Sequence, residues 1–187
     1  GIQNNGIINH YEYIINSEGT IEIRHVLKPE GKMPLWFPRI GLTLTVSDAL
    51  DQVKWYGRGP QENYPDRKTG YPTGIYASTV QAMYEPYLMP QDYGLRTDVR
   101  WLQLTTDKGI GLQFKMNEWF NFNIYPYSTD NLTKAMYTYQ LQKQKGMTLN
   151  LDYATTGVGC TARGVFGAYK AMPQEYRRTI SIRPMMK

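Results

Sequence analysis

Hydrophobic and polar residues alternate at every second position along most of this chain. Ile21, Ile23, His25 and Leu27 fall on one face with Glu22 and Arg24 opposite, and Leu42, Leu44 and Val46 alternate with Thr43 and Thr45. A period of two matches the pleat of a strand half-buried against a core. The same pattern returns in Leu112/Phe114/Met116, in Phe120/Phe122/Ile124, and in Met147/Leu149/Leu151/Tyr153 against Thr148, Asn150 and Asp152. Turn residues fall between these runs: Ser17-Glu18-Gly19, Asp107-Lys108-Gly109, Asn117-Glu118 and Lys145-Gly146. The pattern therefore predicts successive antiparallel hairpins, with Asn117-Glu118 separating two strands.

Only Ser128 to Met136 departs towards a helical pattern, with Ser128 or Thr129 as N-cap and Asp130 in the first turn. One short helix near 129–136 is expected. Strands at hairpin spacing with a single brief helix predict an all-β, two-sheet antiparallel sandwich, one domain over residues 1–187. Between Pro60 and Pro90 the alternation lapses, which predicts one long irregular crossing of the kind that often carries function.

Composition narrows the function classes. With 187 residues, 41% of them hydrophobic, the chain can bury one sizeable core. Its 21 Lys and Arg give a net charge of +5 but are dispersed, so a solvated basic surface is expected rather than a nucleic-acid groove. No apolar run has the length of a membrane-spanning helix, so a membrane is not an expected partner either. A single cysteine, Cys160, excludes an internal disulfide framework. His10 and His25 are the two histidines, and no cluster has metal-ligand spacing, so no metal or other cofactor is expected on this chain. Tyrosine supplies 16 of the 25 aromatics, a residue that suits both a half-buried sheet and the face of a sugar.

Three segments carry candidate chemistry. The first is Trp55 to Arg67, WYGRGPQENYPDR. Gly57-Arg58-Gly59 suggests a phosphate loop, but Pro60-Gln61-Glu62-Asn63 replaces the third glycine and helix start, and Glu62 repels phosphate. Glu62 and Asp66 also suggest the acid and nucleophile of a glycoside hydrolase. Arg58 and Arg67 flank them, however, and Asn63 and Asp66 are turn residues, so the stronger expectation is a structural turn of Arg58, Glu62, Asn63, Asp66 and Arg67 with ion-paired carboxylates.

The second segment is Arg96 to Trp101, where an extended strand would place Arg96, Asp98 and Arg100 on one face. Such a row either pairs internally or offers donors and an acceptor to a hydroxyl-rich ligand. The third is the loop from Gly157 to Tyr169, in which Arg163, Phe166 and Tyr169 could close over a ligand. No histidine lies near Cys160 in that loop to activate its thiol. Arg163, Phe166, Tyr169, Arg96, Asp98 and Arg100 are thus the candidate carbohydrate contacts, and no residue is a candidate catalyst.

Trp55 to Arg67, then Tyr84 to Trp101 (YEPYLMPQDYGLRTDVRW), then Leu149 to Asp152 with Gly157-Val158-Gly159, resemble the C-terminal domain of the large β-galactosidases of glycoside hydrolase family 2. Order and spacing hold from about residue 7 to 184. The resemblance implies a β-supersandwich of the galactose mutarotase type. It also implies that both catalytic glutamates lie in a (β/α)8 barrel outside these residues, and that this domain buttresses the barrel and sends a loop to its mouth.

Two departures bear on specificity. The family's loop runs GVGG or GIGG, then Asp, Asp or Asn, Ser, Trp, and that tryptophan lines the subsite for the departing sugar. Here a gap-free count places Gly164 at the tryptophan position, and Phe166 or Tyr169 is expected to supply the aromatic face instead. A family His-x-His is replaced by Tyr137-Thr138-Tyr139.

The start, GIQNNGIINHYEYIIN, resembles a point inside the family's domain. The expectation is a fragment of a larger retaining β-galactosidase, its sandwich incomplete at the edges, with the remaining enzyme domains and carbohydrate as partners. Exposed strand edges would also favour a homo-oligomer. The alternative is a free-standing carbohydrate-binding module or an aldose 1-epimerase-like protein on the same fold, for which His10 or His25 would be the candidate base.

Overall fold

The computed structural model describes residues 5–160 and 164–186. In chain order its strands are β1 (Gly6–Ile15), β2 (Ile21–Glu30), β3 (Arg39–Val46), β4 (Gln52–Arg58), β5 (Thr73–Thr79), β6 (Arg96–Thr105), β7 (Gly111–Tyr125), β8 (Met147–Thr155) and β9 (Tyr176–Met185). Neighbours run β1-β2-β9-β7-β6-β4-β5, with β8 joined to β7 and β3 to β8. Every pairing is antiparallel, as the alternation and turn spacing predicted.

β7 organises the fold. Gly111 to Met116 pair with β9, whereas Asn121 to Tyr125 pair with β8. The strand is continuous, so the turn expected at Asn117-Glu118 does not form. Both residues find partners on β9: Asn117 Oδ1 accepts from the Thr179 amide at 2.9 Å, and Glu118 lies 2.9 Å from Arg178. Opposite them, β6 advances only from Val99 to Trp101 while β7 advances from Lys115 to Phe120. The surplus residues form a bulge that bends the strand. β8 can then leave the plane of β9 and carry β3 with it.

The inner faces of these two flanks share one core. Ile23, Val53, Trp55, Leu102, Phe114, Phe122, Leu149 and Leu151 belong to it, and each such side chain contributes about 1.5–3 kcal/mol of burial. Close packing also dictates one glycine. At the bulge where β3 shifts register against β8, a Cβ on Gly41 would stand 2.3 Å from the Leu151 carbonyl oxygen.

The segment from Pro60 to Pro90 is less irregular than expected, because Thr73–Thr79 is strand β5, paired with β4 from Gln52↔Thr79 to Arg58↔Thr73. Its later part crosses the outer face of β7 and β8. There Tyr93, Tyr125 and Leu132 form a second small core with Tyr84, Tyr87 and Tyr127. Leu132 comes from the helix α1 (Thr129–Lys134), whose N-cap Ser128 accepts from the Asn131 amide at 3.0 Å. Consequently β8 is buried on both faces. Thr148, Asn150 and Asp152, which alternation alone would have turned to water, are enclosed.

Candidate functional site

A cleft of about 830 Å³ opens between α1, the end of β8 and the crossing segment, within the usual size of a small-molecule site. Trp36, Tyr64, Tyr87 and Tyr125 give it aromatic walls, Arg39, Asp92 and Thr155 give it polar groups, and Gly157 and Val158 form part of its rim. Pro38 and the start of β3 place Arg39 there, and Asp92 arrives from the crossing.

Beneath the cleft runs a continuous polar network. Arg39 Nη2 donates to Asp152 Oδ2 at 2.9 Å and to Asn123 Oδ1 at 3.3 Å, and lies 3.4 Å from Asp92 Oδ2. Asn123 Nδ2 donates to Asp92 Oδ1 at 2.8 Å and to the Tyr93 carbonyl at 3.0 Å. Asn150 Nδ2 donates to Asn123 Oδ1 at 2.8 Å and to the Tyr125 hydroxyl at 3.0 Å, while its own Oδ1 accepts from Thr43 at 2.8 Å. A satisfied buried network of this kind holds its members in one arrangement.

Burial pushes the Asp152 carboxyl up to about 7, against the opposing pull of the Arg39 guanidinium. Being 2% exposed, Asp152 supports Arg39 rather than meeting a ligand itself. Arg39 and Asp92 reach the cleft surface, where a donor and an acceptor beside aromatic faces match the edge and face of a polyhydroxylated ring.

The turn of Trp55 to Arg67 is assembled differently from its sequence reading. Its carboxylates do not pair with its arginines. Glu62 accepts from the Gly94 amide at 2.8 Å, from the Tyr64 hydroxyl at 3.1 Å and from the Tyr87 hydroxyl. Burial and then Glu62 push the Tyr87 hydroxyl up to about 12. Asp66 accepts from the amides of Val158 at 3.1 Å and Gly159 at 2.7 Å. Arg67 donates to the Gly159 carbonyl at 3.0 Å, and Arg58 leaves the turn to meet Asp98 at 2.6 Å. Asn63 is wholly buried and accepts from the Thr97 amide and hydroxyl at 3.1 and 2.5 Å. Backbone donors brought in from distant segments displace the sequence-adjacent arginines, which no local reading anticipates.

Arg96, Asp98 and Arg100 do not share a face. A register shift between Arg96 and Val99, with Asp98 in the left-handed region at φ 55°, interrupts the alternation. Arg96 is buried over the Trp55 ring at 5.4 Å and donates to the Gly94 carbonyl, and burial pushes its guanidinium down to about 10. Asp98 holds both Arg58 and Lys68, at 2.6 and 2.5 Å. Arg100 lies between the rings of Tyr56 and Trp119, at 4.8 and 4.3 Å.

None of these three lines the cleft, and neither do Phe166 or Tyr169. Phe166 is 65% exposed, and Tyr169 gives its carbonyl to the Gly157 amide at 2.8 Å. Arg163 lies outside the described residues. His25 is buried between Tyr153 and Asn9, and neither it nor His10 borders the cleft. The cleft residues Trp36, Arg39, Tyr64, Tyr87, Asp92 and Tyr125 were not singled out as contacts from sequence. Their one sequence signal was the polar stripe Thr148, Asn150 and Asp152, whose buried partners they are or adjoin.

Comparison with known proteins decides the family. Residues 3–182 match the family described as the beta galactosidase small chain. The chain belongs to that family. A β-galactosidase of Priestia megaterium is 38% identical over 79% of this chain, and one of Vibrio cholerae 39% identical over 65%. A third, from Pseudoalteromonas haloplanktis, is 33% identical over 83%. The aligned segments make up 14%, 11% and 14% of those three proteins, so this small chain spans a minor part of the length of its relatives.

Proposed function

We propose that this small chain is a non-catalytic part of a retaining β-galactosidase that hydrolyses terminal β-D-galactosides, and that it contributes to the side of the site facing the leaving group. The supporting observation is the engagement of its carboxylates. Retaining hydrolysis needs one carboxyl to protonate the leaving oxygen and a second, within roughly 5–5.5 Å, to attack the sugar. Glu62 is taken up by two tyrosine hydroxyls and an amide, Asp66 by two amides, Asp92 and Asp152 by Arg39, and Asp98 by Arg58 and Lys68. Such partners hold a carboxylate in place and in one protonation state, which suits a scaffold better than an acid–nucleophile pair.

The remaining domains of a longer enzyme are the proposed partners, with the rim at Gly157 and Val158 and the chain through Phe166 and Tyr169 directed to the substrate's leaving half. Hydrolysis of an aryl β-galactoside, assayed with the isolated 187-residue chain and with the full-length protein, tests the reading. Activity in the full-length protein alone is the expected result. Turnover by the isolated chain would refute it. The aromatic-walled cleft favours a second reading, a sugar-binding module, which predicts saturable binding of galactose to the isolated chain.

A further inference from the structure

Asp66 makes an unusual contact for a turn carboxylate. Its two oxygens each receive a separate backbone N–H from a segment more than ninety residues away, Val158 at 3.1 Å on Oδ1 and Gly159 at 2.7 Å on Oδ2. Successive amides converging on one anion form a small backbone cradle, and bonds to a charged acceptor are about twice as strong as neutral ones. The fit leaves no slack: a Cβ on Gly157 would lie 2.4 Å from Asp66 Cγ and 2.6 Å from both oxygens. Arg67 closes the same segment from its carbonyl side, on Gly159 at 3.0 Å, and Gly157 is tied on its other flank to the Tyr169 carbonyl at 2.8 Å.

Core packing does little to hold this rim. Val158 is 47% exposed, and Phe166 beyond it is 65% exposed. What fixes Gly157 to Gly159 is therefore the polar clasp, and the turn that supplies it also supplies Tyr64 and Arg67 to the cleft wall beside Val158.

We propose that Asp66 is a positioning residue: it latches the Gly157–Gly159 rim, and through that rim it sets which leaving groups the enzyme accepts. The second half rests on the galactosidase reading above; the latch itself does not. The geometry favours a role in specificity over one in catalysis, because both carboxylate oxygens face backbone amides.

The test uses the full-length protein and its D66A, D66N and G157A variants. Amide hydrogen exchange at Val158 and Gly159 reads the latch. D66A is expected to speed exchange there by at least about tenfold, the equivalent of losing charge-assisted bonds, with β6 to β8 unchanged. D66N, which keeps one acceptor oxygen, should fall between. Unchanged exchange at these amides in D66A overturns the latch.

The ratio of kcat/KM for two β-galactosides with the same galactosyl group, one with a phenyl and one with a glucose leaving group, reads the specificity role. A shift in that ratio of about threefold or more is expected in D66A and, in the same direction, in G157A, which displaces the contact from its other side. General destabilisation would lower both values together. Faster exchange with an unchanged ratio overturns the specificity role. A wild-type protein that hydrolyses neither galactoside overturns the galactosidase reading and the specificity role with it, while exchange still decides the latch.

Discussion

At the scale of single residues, Asp152 shows how far a side chain's chemistry departs from its place in a pattern. By alternation it belongs to the polar face of a half-buried strand; in the fold it lies under the crossing segment with Arg39 and Thr155 as partners. Its carboxyl titrates near 7 in the fold against an ordinary 3.8. Between those pH values the folded chain keeps a proton that the unfolded chain has released, so this group's contribution to stability is greatest below the unfolded value, is lost as pH rises towards 7, and is constant above it. D152N cannot titrate, and it is expected to flatten that part of the pH dependence. Urea midpoints measured from pH 4.5 to 8 give the check, and a variant whose stability falls over that range as steeply as the wild type would contradict the assignment. The residue type and its strand were legible in the sequence. Its burial was not, because the covering residues come from positions 84 to 93 and from α1.

At the scale of elements, strand faces were readable and strand ends were not. The alternation of β2, β3 and β8 follows from local side-chain order, and Ser128 with Asp130 marked the start of α1. Asn117-Glu118, a turn by local preference, stays extended because Thr179 and Arg178 of β9 satisfy both side chains. β5 was hidden because short, weakly hydrophobic TGIYAST acquires strand character only by pairing with β4. The bulge at Gly41 makes the tightest demand on sequence. G41A drives a methyl group into the Leu151 carbonyl, so β3 must move away from β8; a loss of about 3 kcal/mol or failure to fold is expected, the upper end for overpacking. Chemical denaturation of G41A checks it, and a loss well under 1 kcal/mol would mean that the β3–β8 pairing yields more readily than its spacing suggests.

At the scale of the whole molecule, the unfinished surface is β1. It is exposed along its entire length, with Ile7, Tyr11, Tyr13 and Ile15 on one face, Ile8 and Ile14 on the other, and β2 as its one strand partner. An apolar edge with unpaired backbone groups recruits further strands. The isolated 187-residue chain is therefore expected to self-associate as its concentration rises, and Y13K combined with I15K to reduce this, as read by sedimentation velocity. Wild-type and variant chains that sediment alike as monomers would remove the argument. By itself the sequence determined the all-β class, most strand faces, the short helix and, through WYGRGPQENYPDR, the family resemblance, because these depend on periodicity and local residue order. Tertiary structure alone decided which charges meet. Arg58 goes to Asp98, Glu62 to Gly94 and two tyrosines, and Asp66 to the amides of Val158 and Gly159, since partners separated by tens of residues become neighbours only after β7 bends and the crossing segment closes over β8.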